Sequence, residues 1–366
     1  MPAFKFQYGR LVICCGHKAR AYMKTCSILH AMKLYEFRET NGIDSLVRAE
    51  KQVPKPGPGE VLIRVHAVSL NYRDLLIAKG LYMRGLKLPL IPLSDGAGEI
   101  AEIGAGVTRV KRGDRVAGIF MTNWISGEVS PYIQRTALGG SVDGMFAEYV
   151  VLHEETVVHI PSHLSYEEAA TLPCAGVTAW NALTTWTLKP GMNVLVLGTG
   201  GVSIFALQFA RLAGARVIAT SSSDEKLRKA SDLGASGLIN YKTSPDWDQK
   251  AIELTNGIGV DHVIEVGGQG TLPKSMNAVC VGGRISLIGL LTGAAGAVSP
   301  MPLLGKQIQL QGVFVGSRDM FEAMNRAITL HKLRPVVDRV FPFDQAREAL
   351  RHMESGAHFG KIVIQV

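Results

Sequence analysis

Asn193-Val-Leu-Val-Leu-Gly-Thr-Gly-Gly-Val-Ser203, continuing as Ile204-Phe-Ala-Leu-Gln-Phe-Ala-Arg211, decides how the rest of the chain folds. Its β-favouring opening ends on glycines, and the glycines lead into apolar residues at helical spacing, so the stretch reads as strand, tight turn, helix. In that context a glycine fingerprint has physical meaning. Gly198 makes the sharp turn and Gly200 lets the backbone approach a pyrophosphate. Gly201, Val202 and Ser203 then open a helix whose unpaired N–H groups face the anion. Ser203 stands where the third glycine would be, and a small residue is what close helix-on-strand packing needs there. Taken alone, the turn is equally an ordinary strand-to-helix connection, so its surroundings matter.

Strands and helices alternate on both sides of it. After the helix through 212 come a strand at 216–220, a helix at 224–233, a strand at 237–240 and a helix at 246–254. A strand at 260–266, a helix at 272–279, and strands at 284–289 and 308–315 follow. Such alternation with nearly all-apolar strands predicts a doubly wound α/β domain, a six-stranded parallel sheet covered on both faces. From Met32 to about Val151 the text changes to short β-rich runs separated by turns such as Pro54-Lys-Pro-Gly-Pro-Gly59, which predicts a barrel-like β domain. The segment 121–144 is expected to be an irregular, polar excursion near a cleft mouth. A helix at 321–331 and a strand from Lys361 to Val366 end the chain.

Composition narrows the function classes. The chain has 366 residues, 47% of them hydrophobic, enough for two domains. No apolar run reaches the roughly 20 residues of a membrane span. Five cysteines without paired spacing point to a reducing compartment, hence the cytoplasm. The net charge of +8 is not a nucleic-acid signal, because five basic residues and no acid precede Met32, leaving +3 for the rest. Residues 1–31 read as a leader or disordered extension, with Met32 as the natural start.

The phrases Asn71-Tyr-Arg-Asp74 with Gly80-Leu-Tyr82, Asp95-Gly-Ala-Gly-Glu99, Thr171-Leu-Pro-Cys-Ala-Gly-Val-Thr-Ala-Trp180 and Gly259-Val-Asp-His262 come in a telling order. Together with the glycine turn they resemble the medium-chain dehydrogenase/reductase superfamily over 32–366. The zinc-free quinone oxidoreductase and enoyl reductase branch, alcohol dehydrogenase-like in architecture, fits best. The resemblance implies a GroES-like catalytic domain at 32–157, a Rossmann domain at 158–315, and a segment 316–366 that returns to the first domain, with a substrate cleft between the two. The chain departs from the quinone oxidoreductase signature, which wants small-Gly-Gly-x-Gly where Thr199-Gly-Gly-Val-Ser203 stands, and it is longer at 123–144.

Zinc relatives can be compared position by position. Asn71 stands at their first cysteine, Ser94 and Asp95 at their His-Glu pair, and only Cys174 keeps a ligand type. The interval 117–144, where a structural four-cysteine lobe would fall, contains no cysteine. A catalytic zinc needs about three protein ligands, so no zinc is expected.

NAD-specific folds carry an acid roughly 20 residues beyond the first glycine. Here Thr220 ends the second strand, and Ser221-Ser-Ser-Asp-Glu-Lys226 follows. The resemblance assigns a 2′-phosphate to Ser222, Lys226 and Tyr241, so NADPH is expected over NADH. The other reading has Ser223 as a helix cap and Lys226 as a solvated face residue. The family pattern also implies that Val266 and Gly267 flank the ribose, that Ile288, Phe314 and Val315 line the nicotinamide side, and that Thr178 touches nicotinamide or phosphate. Asn71 and Tyr82 are the expected pocket donors. No arrangement of His, Ser and Asp reads as nucleophile and base, so the chemistry belongs to the nicotinamide.

Three activities follow from this reading: zinc-independent hydride transfer to an enone, quinone or related carbonyl; an alcohol–aldehyde dehydrogenase; or a nucleotide-binding protein with little catalysis. The expected partner is a small-molecule substrate, with neither nucleic acid nor membrane. An apolar edge strand at 308–315 predicts a homodimer.

Overall fold

The computed structural model describes residues 31–82 and 85–366. The proposed leader therefore falls, apart from Ala31, outside the described residues. β1 (Ala31–Phe37) and β2 (Leu46–Gln52) pair antiparallel. β3 (Glu60–Ser69), β4 (Asp95–Ile103), β5 (Arg115–Gly118), β6 (Tyr149–His153) and β7 (Val157–His159) build an antiparallel, barrel-like sheet centred on β3. The short strands follow from the glycines and prolines that interrupt every apolar run.

β8 (Asn193–Val196), β9 (Arg216–Ser221), β10 (Gly237–Asn240), β11 (Val260–Glu265), β12 (Val279–Leu287) and β13 (Gln309–Gly312) form the second sheet in the order β10-β9-β8-β11-β12-β13. Every pairing in it is parallel. The order reverses between β8 and β11, and in a doubly wound sheet ligands bind beyond the carboxyl ends of the strands at that reversal. The glycine turn after β8 is therefore placed at the crevice by topology alone.

β14 (Val337–Phe341) and β15 (Lys361–Gln365) return to the first sheet, where β15 pairs antiparallel with the end of β3 that leads into Leu70 and Asn71. One apolar core runs from Ala67 and Ala97 through Phe120 to Ile204, Phe205 and Val217, so the two sheets share buried surface.

The structure corrects several expectations. Tyr72–Ala78, inside the stretch read as short β runs, is a helix, because the Asp74 carboxylate accepts the Asn71 N–H at 2.7 Å and caps it. Val279 begins β12 instead of ending the preceding helix. The expected edge strand stops at Gly312, since Val315 turns to φ 61° and its carbonyl accepts the Asn181 amide at 2.6 Å. The segment 121–144 is not a polar excursion. It holds a helix, Pro131–Gln134, and buries Met121, Trp124, Ala137 and Leu138. β14 and a helix at Ala346–Glu354, both between the glycines and charges of the return segment, were not foreseen.

Candidate active site

The glycine turn has the shape its sequence predicts. Gly198 has φ +72°, and a Cβ built at Gly198 or Gly200 would meet nothing within 4 Å, so the backbone borders open space. Gly200 caps the helix Gly201–Leu212 without any side-chain partner, which leaves the first N–H groups free for an anion. Ser203 is buried, and its hydroxyl donates to the Leu197 carbonyl at 2.7 Å. That bond explains how a serine replaces the third glycine without an orphaned hydroxyl. Gly201 is required for another reason: a Cβ there would come within 2.6 Å of Lys361 Cδ.

Ser222 and Tyr241 directly follow the carboxyl ends of β9 and β10, and Lys226 lies in the helix Asp224–Asp232 between those strands. The Tyr241 N–H donates to the Ser221 carbonyl at 3.0 Å, and Tyr241 itself is exposed. Ser223 caps the helix Asp224–Asp232 by accepting the Lys226 N–H at 3.4 Å. Lys226 is not simply solvated. Its ammonium donates to the Gly356 carbonyl at 2.6 Å, and burial lowers its pKa, partly opposed by Asp338.

The remaining predicted contacts differ in character. Gly267 is buried, and a Cβ there would lie 2.2 Å from Thr271 Oγ1. Close packing against Thr271 requires a glycine there. Val266 and Ile288 are half-buried and pack against the shared core. Thr178 is buried, and its hydroxyl donates to the Cys174 carbonyl at 2.6 Å, so it faces a ligand only as an acceptor. Phe314 is exposed, and its ring meets Phe120 edge-on with centroids 5.7 Å apart.

Tyr82 joins Arg73, Phe120 and Phe314 in one cluster. The Arg73 guanidinium lies 5.2 Å from the Tyr82 ring centroid and 4.5 Å from that of Phe120, which in turn touches Phe314. Burial raises the Tyr82 phenol, with the Arg73 charge opposing and Cys174 and Asp74 reinforcing it. Asn71 is 9% exposed and its amide nitrogen is buried without a hydrogen-bond partner.

Three buried charged residues organise the site: Lys361 and Glu265, which sequence reading missed, and Asp95, which it placed only at a metal-ligand position. Lys361, 3% exposed, donates through Nζ to the Leu70 carbonyl and, at 2.6 Å, to Asn71 Oδ1. Asp95 Oδ2 lies 4.0 Å from that ammonium and accepts the Cys174 N–H at 3.2 Å, while Oδ1 accepts the Ser94 hydroxyl at 2.7 Å. Burial raises the Asp95 carboxyl, opposed by Lys361, Ser94, Asn71 and Cys174. Glu265 accepts the N–H groups of Gly267 and Gly268 at 2.7 and 3.0 Å and the Thr271 hydroxyl at 2.6 Å, which fixes the turn after β11. The one signal for Lys361 in the sequence is a charge heading the apolar run Lys361-Ile-Val-Ile.

The donor set here does not fit a catalytic zinc. Its one thiol, Cys174, is pushed up by burial and by Asp95, and the Asn71 oxygen is engaged by an ammonium. Among the described residues no group of three or more His, Cys, Asp or Glu is placed to hold a metal. A dinucleotide fits better, since the turn offers free N–H groups beside open space.

Two family models match the chain. One, described as the alcohol dehydrogenase GroES-like domain, covers 57–162, and one described as zinc-binding dehydrogenase covers 201–329. A zinc-type alcohol dehydrogenase-like protein of Schizosaccharomyces pombe is 48% identical, over 92% of this chain and 99% of its own length. A zinc-type alcohol dehydrogenase-like protein of Leptosphaeria maculans is 37% identical, over 86% and 92%. Among solved structures, an NAD-dependent alcohol dehydrogenase superposes with a TM-score of 0.84 at 35% identity, covering 92% of this chain and all of that one.

Proposed function

The chain belongs to the medium-chain dehydrogenase/reductase superfamily, in its alcohol dehydrogenase-like branch, and is an oxidoreductase of that type; from this premise we propose that it reduces an activated C=C or C=O group with NADPH and without zinc. The single observation carrying the metal-free part is the replacement of a metal-binding donor set by Asn71, Asp95 and Cys174 around a buried ammonium. When bound, the reduced nicotinamide supplies a hydride, two electrons with a hydrogen nucleus, to the electrophilic carbon.

The electron pair displaced from the C=C or C=O bond moves onto the substrate oxygen, and water supplies the proton that later completes the product. Negative charge on that oxygen calls for fixed donors. The unpartnered Asn71 amide N–H is one and the Tyr82 hydroxyl the second. Phe120 and Phe314, packed edge-on, make the apolar side of the reacting region, and the buried Thr178 hydroxyl offers it an acceptor. The N–H groups opening the helix Gly201–Leu212 take the pyrophosphate, and Ser222, Lys226 and Tyr241 take the 2′-phosphate. Val266, Gly267, Ile288 and Val315 complete the walls.

An alcohol–aldehyde pair is the second reading, favoured by the names of the relatives. A panel of enones, quinones and aldehydes with NADPH against NADH, followed at the nicotinamide absorbance, tests both. Turnover of enones or quinones by zinc-depleted protein supports the first reading; activity that appears only when zinc is added overturns it. The same proposal has the enzyme acting as a homodimer in the cytoplasm, free of nucleic acid and membrane. Among the described residues no helix is long and apolar enough to cross a membrane.

A further inference from the structure

The ammonium of Lys361 is the least expected charge in the molecule. It lies on β15, the first sheet's returning strand, with its stem laid against Gly201 of the glycine turn and its tip beneath Asn71. Glycine at 201 is what lets the stem pass, because a Cβ would strike Cδ. The tip is held by two oxygens, the Leu70 carbonyl and Asn71 Oδ1, with the Asp95 carboxylate 4.0 Å away as counter-charge. A primary amide has one acceptor and one donor end. Once its oxygen is bound by an ammonium, only the NH2 group remains to meet a ligand; in Asn71 that nitrogen is buried beside the Asp95 carboxylate, whose charged form it favours, yet makes no close hydrogen bond, so at least one of its two N–H groups is left for a ligand.

We infer that Lys361 is a positioning residue for the reduction: it fixes Asn71 Oδ1 and thereby aims Nδ2–H at the substrate oxygen. This inference rests on the metal-free hydride transfer proposed above. It makes two demands on the pocket intelligible. The amide cannot flip, because the flipped form would place NH2 against an ammonium. The oxygens that a metal ion would need are also occupied by a permanent cation whose charge Asp95 answers. The lysine further links both ends of the reaction, since one side chain lines the turn that faces the pyrophosphate and the amide that faces the substrate.

The test is a double-mutant cycle on the intact protein with Lys361→Met and Asn71→Ala, read by thermal melting, by NADPH binding through nicotinamide fluorescence, and by single-turnover hydride transfer. We expect Lys361→Met to bind NADPH within threefold of wild type and to lose about 100-fold in hydride transfer. Adding Asn71→Ala to it should remove little more, because residues acting as one unit are not additive. Independent losses that multiply, or an unchanged rate in Lys361→Met, overturn the inference.

A readout separate from activity is the side-chain NH2 resonance of Asn71 in protein labelled with 15N-asparagine. In wild type it should exchange slowly and shift on substrate addition, and in Lys361→Met it should exchange at the rate of an unrestrained amide. A fast-exchanging Asn71 amide in wild type sinks the inference even if Lys361→Met does not fold. Absence of turnover with every substrate, beside a slowly exchanging amide lost in Lys361→Met, instead sinks the reductase reading and leaves the lysine's hold on Asn71 intact.

Discussion

Gly360 donates its backbone N–H to the carbonyl of Thr199 at 2.9 Å, so β15 begins on the turn that faces the cofactor crevice. The contact is a parallel bridge between Gly200 and Gly360, and it joins the two sheets through main chain rather than side chains. An anion seated on the turn would hold Thr199 and Gly200 in place and, through this bridge, the return segment. Hydrogen exchange should therefore slow at 336–365 when NADPH is added, although these residues belong to the other sheet. Protection confined to 193–241 would show that the bridge does not couple them.

Removing the donor proposed for the substrate oxygen should affect chemistry more than binding. Asn71→Ala is expected to lower kcat by roughly 100- to 1,000-fold, the usual effect of losing one oxyanion donor. Its NADPH dissociation constant should stay within a few-fold of wild type. A rise in substrate KM with kcat unchanged would mean that Asn71 only holds the ground state.

What the sequence revealed was governed by local rules. Period-2 and period-3.6 patterns, with glycine punctuation, placed β8 to β11 and the helices Gly201–Leu212 and Asp224–Asp232 within a residue or two, while β12 begins five residues earlier and β13 ends three residues earlier than their patterns predict. The glycine turn was legible because its residues are consecutive. Asn71 and Lys361 are 290 positions apart, and nothing local in either one announces the other. Their meeting depends on β15 pairing with β3, a long-range choice set by tertiary packing. Val315 was misplaced for a similar reason, since its left-handed backbone is compensated by Asn181, a partner 134 residues away.

Lys226 should discriminate between the two nicotinamide cofactors. A charge-assisted hydrogen bond contributes about 1.5–3 kcal/mol, so Lys226→Ala should raise KM for NADPH roughly 10- to 100-fold. KM for NADH should move by less than about twofold, on the same reasoning that no phosphate contact is lost. Equal rises for both cofactors would assign Lys226 to holding Gly356 instead.

Asp74 makes stability depend on pH in an unusual direction. Burial pushes its carboxyl up from 3.8 to about 6, although Arg73 and the Asn71 N–H favour the charged form. The folded chain thus holds this proton more tightly than the unfolded chain. Its stabilisation is complete below about pH 3.8 and is lost as pH rises through about 6. A shift of that size corresponds to about 3 kcal/mol. Asp74→Asn removes this titration, and the charge it takes away from beside Arg73 is one the wild type carries only above about pH 6. Urea unfolding between about pH 4 and pH 7 should therefore show the variant gaining on wild type as pH rises. Parallel stability curves would place the Asp74 proton elsewhere.

The edge of the parallel sheet sets the last expectation. β13 pairs with β12 on one side only among the described residues, and Leu310 on it is exposed. Met301 and Leu304 in the preceding helix are exposed too, at 66% and 76%, and Leu290 and Leu291 after β12 are half-exposed. An unpaired strand beside such a surface is a template for another strand, and a two-fold axis lets identical edges pair antiparallel and cover it. Sedimentation at micromolar concentration should give twice the 39.4 kDa chain mass. Leu310→Lys should shift the protein to monomers while its melting temperature falls only modestly, because that side chain already faces outward. A monomeric wild type, or a dimer untouched by Leu310→Lys, would remove this edge as the interface.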